Sequence, residues 1–324
     1  MSELGIVMGG SGFIGGHLLK HLVSTRRHTR LISIDIAPPP EKLEGVEYII
    51  ADLCDELDTS LGAVGAVIYS LAAYRNYPGH PDRDYYVNNI ISSQRIIDLA
   101  EATGAQAIVF TSTMSVYGPG QEPKTEQSAL NPVNPYGASK MIAETLHTGW
   151  LARNPECKLV ICRPAVIFGY RDDGNYTRLA RALERKIFVY AGRNDTIKSA
   201  GYVGDLVRSF TFALDHGARD ILYNFAYPYA YTIKEIALAF HEVAGFSKPW
   251  STMPVALLNM VAIPFELANA IGFKNSIHRQ RIRKLYEDTH IVPEWLTENG
   301  FEFRTDLPKA LRLWQQESPS GRFI

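Results

Sequence analysis

The sequence predicts an α/β fold, a Rossmann-type doubly wound parallel sheet with a smaller C-terminal α/β substrate-binding lobe. Three observations predict it: short apolar runs alternate with amphipathic stretches in the first half of the chain, a glycine-rich turn follows the first run, and the alternation weakens after residue 170. Alternating strands and helices form a parallel sheet with helices on both faces. We therefore expect a sheet domain over 1–170 and a lobe mainly over 171–324, with some later chain returning to the sheet domain.

The composition is typical of a soluble globular protein and excludes several classes. Of 324 residues, 46% are hydrophobic and 21% are charged, and the formal net charge of -1 gives no electrostatic reason to expect nucleic acid as a partner. Cys54, Cys157 and Cys162 form an odd set without metal-ligand spacing, so we expect neither a metal site nor a disulfide framework. The first residues resemble a strand rather than a signal peptide, and we expect a reducing, cytoplasmic location.

A glycine loop joins the first predicted strand to the first predicted helix. LGIVM (4–8) is a short apolar run typical of a buried strand, and GGSGFIGG (9–16) leads from it into the amphipathic stretch HLLKHLV. Glycines at every third position permit a tight turn and let the backbone approach a pyrophosphate at the positive end of the helix. The loop therefore predicts a dinucleotide site that includes Gly9, Gly12, Phe13, Ile14 and Gly15.

The second predicted strand ends on an acidic residue. RLISI is followed by Asp35, and a carboxylate at this place can bond both ribose hydroxyls of NAD while it repels the 2′-phosphate of NADP. No arginine follows directly, because Ile36, Ala37 and three prolines come next. We therefore expect NAD rather than NADP, and we interpret residues 1–170 as an NAD-binding domain.

Four further strands alternate with helices predicted over about 84–102 and 135–152. The strands are VEYIIADL (46–53), AVIYSLAAY (66–74), AIVFTST (107–113) and KLVICRP (158–164). Ligands of such sheets gather outside the carboxyl ends of the strands. The strand ends therefore predict further cofactor-binding residues, namely Asp52, Leu53, Leu71, Ala72, Ala73, Thr111 and Pro164.

A phenol and an ammonium share one helix face in the segment NPYGASK (134–140). Tyr136 and Lys140 are four residues apart, a spacing that suits ordinary packing as well as chemistry. A lysine cation lowers the pKa of a neighbouring phenol, so we expect Tyr136 to act as a general acid/base near neutral pH. Thr113 ends a strand one helix earlier, where its hydroxyl would orient the same substrate oxygen. These three residues form the predicted catalytic group, in which Lys140 would also hold the nicotinamide ribose.

Together these segments resemble the extended short-chain dehydrogenase/reductases, in particular the NAD-dependent epimerase/dehydratase group that acts on nucleotide sugars. The resemblance covers nearly the whole chain, through GGSGFIGGHLL (9–19), ADL (51–53), LAA (71–73), YYVNNI (85–90), TSTMSVYG (111–118), NPYGASK, YVGDLV (202–207) and YNFAYPYAYTIKEIA (223–237). It implies that Asp52 and Leu53 contact adenine and that Asn89 supports the cofactor and the active site. It also implies a homodimer built on the two helices predicted over 84–102 and 135–152.

Departures from the family pattern narrow the reaction. Met114 and Ser115 stand where the 4,6-dehydratases have an Asp-Glu pair, and the glutamate of the related decarboxylases is also absent, so we expect neither reaction. Val166 stands where UDP-galactose 4-epimerase has an asparagine that contacts the substrate. We expect a nucleotide-sugar epimerase that works through a transient 4-keto intermediate. The alternatives are a nucleotide-sugar 4-ketoreductase or a 3β-hydroxysteroid-type dehydrogenase and, more remotely, a non-catalytic NAD-binding scaffold.

The second half of the chain supplies candidate substrate ligands. The resemblance places Asn175 where an asparagine reaches the nucleotide diphosphate and Lys198 where relatives have a basic residue. SIHRQRIRKL (276–285) contributes Arg279 and Arg281, whose guanidinium groups suit bidentate diphosphate recognition. A solvated basic helix face is the alternative interpretation of this run.

The predicted dimer helices and the apolar segment 253–273 each have more than one interpretation from the sequence alone. Ile90, Ile97, Ile142 and Leu146 are apolar residues on the two predicted dimer helices, although some of them must face the sheet. Residues 253–273 are rich in apolar side chains, but prolines, asparagines and a glutamate interrupt them, so we expect no integral membrane segment. A buried or partner-facing helix pair and a peripheral membrane contact are the two interpretations of this segment.

Overall fold

A seven-stranded parallel sheet forms the centre of the molecule. The computed structural model describes residues 4–57, 65–75, 77, 79–249, 251–258, 260 and 279–324. The strands are β1 (Leu4–Met8), β2 (Arg30–Asp35), β3 (Val46–Ile50), β4 (Val67–Ser70), β5 (Ala107–Thr111), β6 (Gly120–Lys124), β7 (Lys158–Pro164), β8 (Val166–Phe168), β9 (Tyr190–Ala191), β10 (Ala200–Tyr202), β11 (Asp220–Phe225), β12 (Thr252–Met253) and β13 (Thr289–Ile291). The large sheet has the strand order β11-β7-β5-β4-β1-β2-β3. The other described strands form three short parallel pairs: β8 with β10, β9 with β12, and β6 with β13.

Helices alternate with these strands and cover both faces of the sheet. They are α1 (Phe13–Ser24), α2 (Asp82–Ala102), α3 (Pro135–Arg153), α4 (Asn175–Glu184), α5 (Val203–Asp215), α6 (Ile233–Ala244), α7 (Arg279–Tyr286), α8 (Glu294–Glu298) and α9 (Leu307–Glu317), with a 3₁₀ turn at Met114–Val116. In the described part of the chain, no helix combines the length and the apolar character that crossing a bilayer requires.

Two apolar layers hold the helices to the sheet. On one face, Ile97 of α2 and Trp150 of α3 pack on strand residues such as Phe110. On the other face, Leu18 of α1 and Phe210 of α5 pack on the opposite side of the same strands. Because full burial of one large apolar side chain contributes roughly 1.5–3 kcal/mol, these layers are a main source of the stability of the sheet domain.

The later chain forms a smaller, aromatic-rich core beside the carboxyl edge of the sheet. Phe168 stacks on Tyr176 with 4.3 Å between the ring centres. Phe240 of α6 and Trp314 of α9 belong to the same buried cluster. This core fixes the start of α4 relative to the strands that precede it.

The predicted fold class is confirmed, with differences in detail. The third and fourth strands end at Ile50 and Ser70, earlier than the patterns predict. Ala51 N still donates to Asp35 O, and Leu71 N to Met8 O, both at 3.0 Å. Beyond these bonds, the Asp52 carboxylate accepts a bond from Cys54 N at 2.9 Å, and the Asn89 amide bonds both backbone groups of Tyr74. The division at residue 170 stays a prediction, and β11, from the second half, pairs with β7 in the large sheet.

Candidate active site

A cleft of about 260 Å³ lies at the carboxyl edge of the sheet, around the ends of β1, β2 and β4. Parallel strands direct their carboxyl ends to one edge, which is where such folds hold ligands. Most of the predicted cofactor-binding residues line this cleft: Gly9, Gly12, Phe13, Ile14, Gly15, Asp35, Asp52, Leu53, Leu71, Ala72, Ala73 and Asn89. Their contact with a cofactor stays a prediction, but the fold brings them to one surface.

The glycine loop leaves room for a phosphate group next to the start of α1. A Cβ atom on Gly15 would lie 2.1 Å from the Gly9 carbonyl oxygen, so the tight approach of loop and helix requires glycine there. No side chain caps α1, and no acidic residue occupies its first turn. The free backbone N–H groups and the helix dipole therefore favour an anion in the cleft, and this part of the site fits the pyrophosphate of NAD.

The Asp35 carboxylate is fixed at the end of β2. Ser11 N donates to Oδ2 and Ala37 N donates to Oδ1, both at 3.0 Å. A carboxylate held in this way presents its remaining lone pairs to the cleft. Its position supports the predicted preference for NAD.

Several cleft residues were missed by the sequence analysis: Ile36, Cys54, Tyr74, Arg75, Asn88 and Ser92. Most of them directly follow or precede a predicted residue, and Ser92 lies one turn beyond Asn88 on α2. Arg75 is the charged member, and it forms an ion pair with Asp173 at 2.6 Å. Adjacency to the predicted strand ends was the signal that could have identified them.

The helix α3 begins in a way that brings Tyr136 to Thr113. The Asn134 side chain accepts a hydrogen bond from Gly137 N at 2.9 Å, and Pro135 occupies the first turn, so the helix has a defined start. A Cβ atom on Gly137 would lie 2.5 Å from the Ser115 carbonyl oxygen. Glycine therefore permits the close contact of α3 with the turn after β5, and this contact places the phenol next to the Thr113 hydroxyl.

The ionisation of Tyr136 differs from the sequence expectation. Burial raises the pKa of the phenol, while the Thr113 hydroxyl and the Arg75 cation oppose the rise. Lys140 was expected to lower this pKa, but its ammonium lies 4.0 Å from the centre of the Phe110 ring. Burial lowers the pKa of Lys140 itself to about 7, against the opposing effect of Glu144. The expectation was wrong for this structure because removal from water dominates the ionisation of both groups.

Asn89 connects the catalytic helix to the cleft wall. Its Nδ2 donates to Ser139 Oγ at 2.9 Å, and its Oδ1 accepts from Tyr74 N at 2.8 Å. Asn89 thus holds α2, α3 and the chain after β4 in one arrangement.

The ends of β5 and β7 carry the two remaining predicted strand-end residues. At the end of β5, Thr111 Oγ1 is buried without a hydrogen-bond partner, and this hydroxyl is suited to a ligand such as the cofactor. Pro164 is buried at the end of β7 and is paired in register with Phe225.

The four predicted substrate ligands come from three different parts of the chain. Asn175 is exposed at the first position of α4, next to the loop that carries Asp173. Lys198 donates to the backbone oxygens of Lys284, at 2.6 Å, and of Glu287, so it holds the end of α7. Arg279 and Arg281 belong to α7, but their side chains lie outside the described residues. The assignment of these four residues to the substrate stays a prediction.

Comparison with known proteins finds a matching family profile and similar sugar epimerases. The sequence profile of the NAD dependent epimerase/dehydratase family matches residues 6–226. An N-acetyl-alpha-D-glucosaminyl-diphospho-ditrans,octacis-undecaprenol 4-epimerase of Escherichia coli O157:H7 is 26% identical, with 93% of this chain and 91% of that protein covered. A UDP-glucose 4-epimerase of Pasteurella multocida is 24% identical, with 98% of each chain covered.

A solved structure shares the same fold. The UDP-glucuronic acid 4-epimerase from Bacillus cereus, in complex with NAD, superposes with a TM-score of 0.75 over 96% of both chains, at 20% identity. The likeness supports the Rossmann-type architecture described above.

Proposed function

The chain belongs to the NAD-dependent epimerase/dehydratase family and is an enzyme that uses NAD; from this premise we propose that it epimerises a nucleotide-linked hexose at C4 through a transient 4-keto intermediate. The observation that carries the proposal is the meeting of Tyr136 and Thr113 beside a cleft with a glycine loop and a fixed Asp35 carboxylate. The glycine loop and Asp35 would hold NAD, which would supply the hydride acceptor and donor for the sugar carbon.

The protein's own groups handle the proton. Tyr136 takes the proton of the C4 hydroxyl as the carbon is oxidised, and returns it to the keto oxygen when the other face is reduced. Thr113 orients that oxygen, and Arg75 favours the ionised phenol that the oxidation step requires. Because hydride and proton both return to the sugar, no net oxidation occurs. That balance separates an epimerase from a 4-ketoreductase, which would consume one reduced cofactor per turnover.

Replacement of Tyr136 by phenylalanine tests the mechanism. In assays with a panel of UDP- and GDP-hexoses, Tyr136→Phe should lower turnover by about 10²–10⁴-fold, because the acid/base group is lost. NAD binding, measured by calorimetry, should remain close to the wild-type value. Tyr85→Phe is the matched control, since its buried ring lies 6.5 Å from the Tyr136 ring and its hydroxyl accepts a bond from His80 N. Wild-type turnover in Tyr136→Phe would exclude the phenol as the acid/base.

A lipid-linked substrate is the second candidate. The Escherichia coli relative named above acts, by its name, on a sugar joined through a diphosphate to undecaprenol, and it is covered over nearly its whole length. Ile187, Leu257 and Met260 are 67%, 40% and 60% exposed. In the chain, Ile187 follows the basic end of α4, and Leu257 and Met260 follow β12. These apolar side chains are suited to a bilayer surface. The remainder of the apolar segment 253–273 lies largely outside the described residues.

A comparison of turnover on two substrates distinguishes the two candidate functions. Turnover of UDP-N-acetylglucosamine is compared with turnover of N-acetylglucosaminyl-diphospho-polyprenol in detergent micelles, at equal concentrations. A clear preference for the nucleotide sugar supports the first candidate, and a clear preference for the lipid-linked sugar supports the second. Ile187→Glu should weaken sedimentation with anionic vesicles only if the second candidate is correct.

The assembly that we propose is a cytoplasmic homodimer through α2 and α3. Val87 and Ile91 of α2 and Ile142 of α3 are each 37% exposed, and they supply an outward apolar face. Ile97, by contrast, is buried against the sheet, and Leu146 packs on the same core. Of the residues expected at this surface, Ile142 therefore supports the proposal, whereas Ile97 and Leu146 serve the interior.

A further inference from the structure

A short segment after β8, residues 170–173, contacts the glycine-loop side of the cleft. His17 Nε2 of α1 donates to Tyr170 O at 2.8 Å, and Arg171 Nη2 donates to Ser11 O, in the glycine loop, at 3.4 Å. Arg171 has a left-handed backbone, with φ 70°, which a non-glycine residue adopts where its surroundings hold it. These contacts fasten one end of the segment to the loop that is suited to the pyrophosphate.

The other end of the segment contacts a second side of the cleft. Asp173 Oδ1 accepts a bond from Arg75 Nη2 at 2.6 Å, and Arg75 lines the cleft on the chain that follows β4. The Cα atoms of Arg171 and Asp173 are at most about 7 Å apart, because only one residue separates them. The segment 170–173 therefore links the glycine loop directly to the chain after β4.

The backbones around this ion pair are held in place. The Asn89 amide bonds both backbone groups of Tyr74, which precedes the arginine. The Asp172 carboxylate accepts bonds from Gly174 N at 2.7 Å and from Thr177 N at 3.3 Å, so the turn around the acidic partner is fixed as well. Because the two side chains start from fixed positions, less conformational freedom is lost when they pair.

We propose that Asp173 is a positioning residue of the cofactor site: through its ion pair with Arg75 it ties the segment 170–173 across the cleft and slows the dissociation of the bound dinucleotide. The inference rests on the proposed place of NAD in the cleft, and not on which sugar is epimerised. In the proposed reaction the hydride returns to the sugar, so the cofactor need not leave between turnovers, and slow dissociation suits such a cycle.

An ion pair on the surface without any effect on the cofactor is the competing explanation. The Arg75 and Asp173 side chains are 46% and 65% exposed, and many exposed pairs contribute nothing measurable. The two explanations differ in what the loss of the pair does to the cofactor, because only a tie across the cleft must open before the cofactor leaves.

The dissociation rate of NADH, measured without any sugar, tests the proposal. The protein is loaded with NADH, mixed rapidly with excess NAD, and followed by the fluorescence of the nicotinamide. Asp173→Asn should raise the dissociation rate constant by up to about fivefold, the upper range for an exposed ion pair. Asp173→Glu keeps the charge and should restore most of the slow dissociation. Salt should speed dissociation from the wild type more than from Asp173→Asn, because it screens the pair.

A matched control and a double-mutant cycle separate the explanations. Arg27 and Asp215 form an ion pair of the same length, 2.6 Å, with the Asp215 side chain 60% exposed, beyond the end of α1 that lies away from the glycine loop. Asp215→Asn should therefore leave the NADH dissociation rate unchanged. Arg75→Gln/Asp173→Asn should dissociate NADH no faster than Arg75→Gln alone, because the pair is already lost in the single variant.

Two results would overturn the proposal. One is a dissociation rate in Asp173→Asn equal to that of the wild type at low salt, and the other is an additive effect of the Arg75 and Asp173 substitutions. Because NADH dissociation is measured without sugar, failure of the proposed epimerase activity would be seen separately, in the turnover assays.

Discussion

At the scale of the residue, we expect the burial of Lys140 to lower the stability of the folded protein. Burial lowers the pKa of Lys140 to about 7, whereas an unfolded lysine titrates near 10.4. Between these two pKa values the unfolded chain binds more protons than the folded protein, so the destabilisation caused by Lys140 decreases as the pH rises. Below about pH 7 the full destabilisation is present.

We predict that Lys140→Met abolishes turnover but stabilises the protein at about pH 6, by on the order of a few kcal/mol, and that this gain shrinks toward pH 10. Urea unfolding at several pH values measures the difference in unfolding free energy between the variant and the wild type. Lys20→Met is the control, because Lys20 forms an exposed ion pair with Glu41. A gain that is independent of pH would contradict the assignment.

At the scale of the element, α3 carries a buried histidine on its inner face. His147 stacks on Phe110 with 4.1 Å between ring centres, its Nδ1 bonds the Ala143 carbonyl oxygen, and its Nε2 is buried without a partner. Burial lowers its pKa to about 4, while the unfolded value is about 6.5. As the pH falls from about 6.5 to about 4, the unfolded chain therefore takes up a proton that the folded protein does not, and the protein loses stability.

We predict that His147→Leu removes this loss of unfolding free energy, which amounts to up to about 3 kcal/mol between pH 6.5 and pH 4. Unfolding free energies at the two pH values provide the measurement, and an equal loss in both proteins would refute the role of His147.

At the scale of the whole molecule, the outward faces of α2 and α3 should decide the oligomeric state. Val87, Ile91 and Ile142 are apolar and exposed on two helices that pack against each other. We predict that the wild-type protein is a dimer at micromolar concentration and that Ile91→Asp shifts it to monomer, because a carboxylate buried without a partner is unfavourable. Light scattering with size-exclusion chromatography measures the mass. Ile50→Asp, at the exposed end of β3, is the control and should stay dimeric. A monomeric wild-type protein would contradict the proposed assembly.

The sequence by itself determined the features that depend on neighbours along the chain. Apolar runs, glycine spacing and helix starts predict β1, β2, the glycine loop and α3, because strands, turns and caps are set by local sterics and hydrogen bonding. The residues at strand ends could also be grouped into one cleft, since parallel strands share a carboxyl edge. Only the tertiary structure decided which groups lose contact with water and which distant partners meet. It paired Arg163 with Glu144, placed Lys198 on the carbonyl groups of α7, and raised the pKa of Tyr136 where a lowering was expected. The physical reason is that burial and long-range contacts follow from the packing of elements far apart in the chain, and no local pattern contains that information.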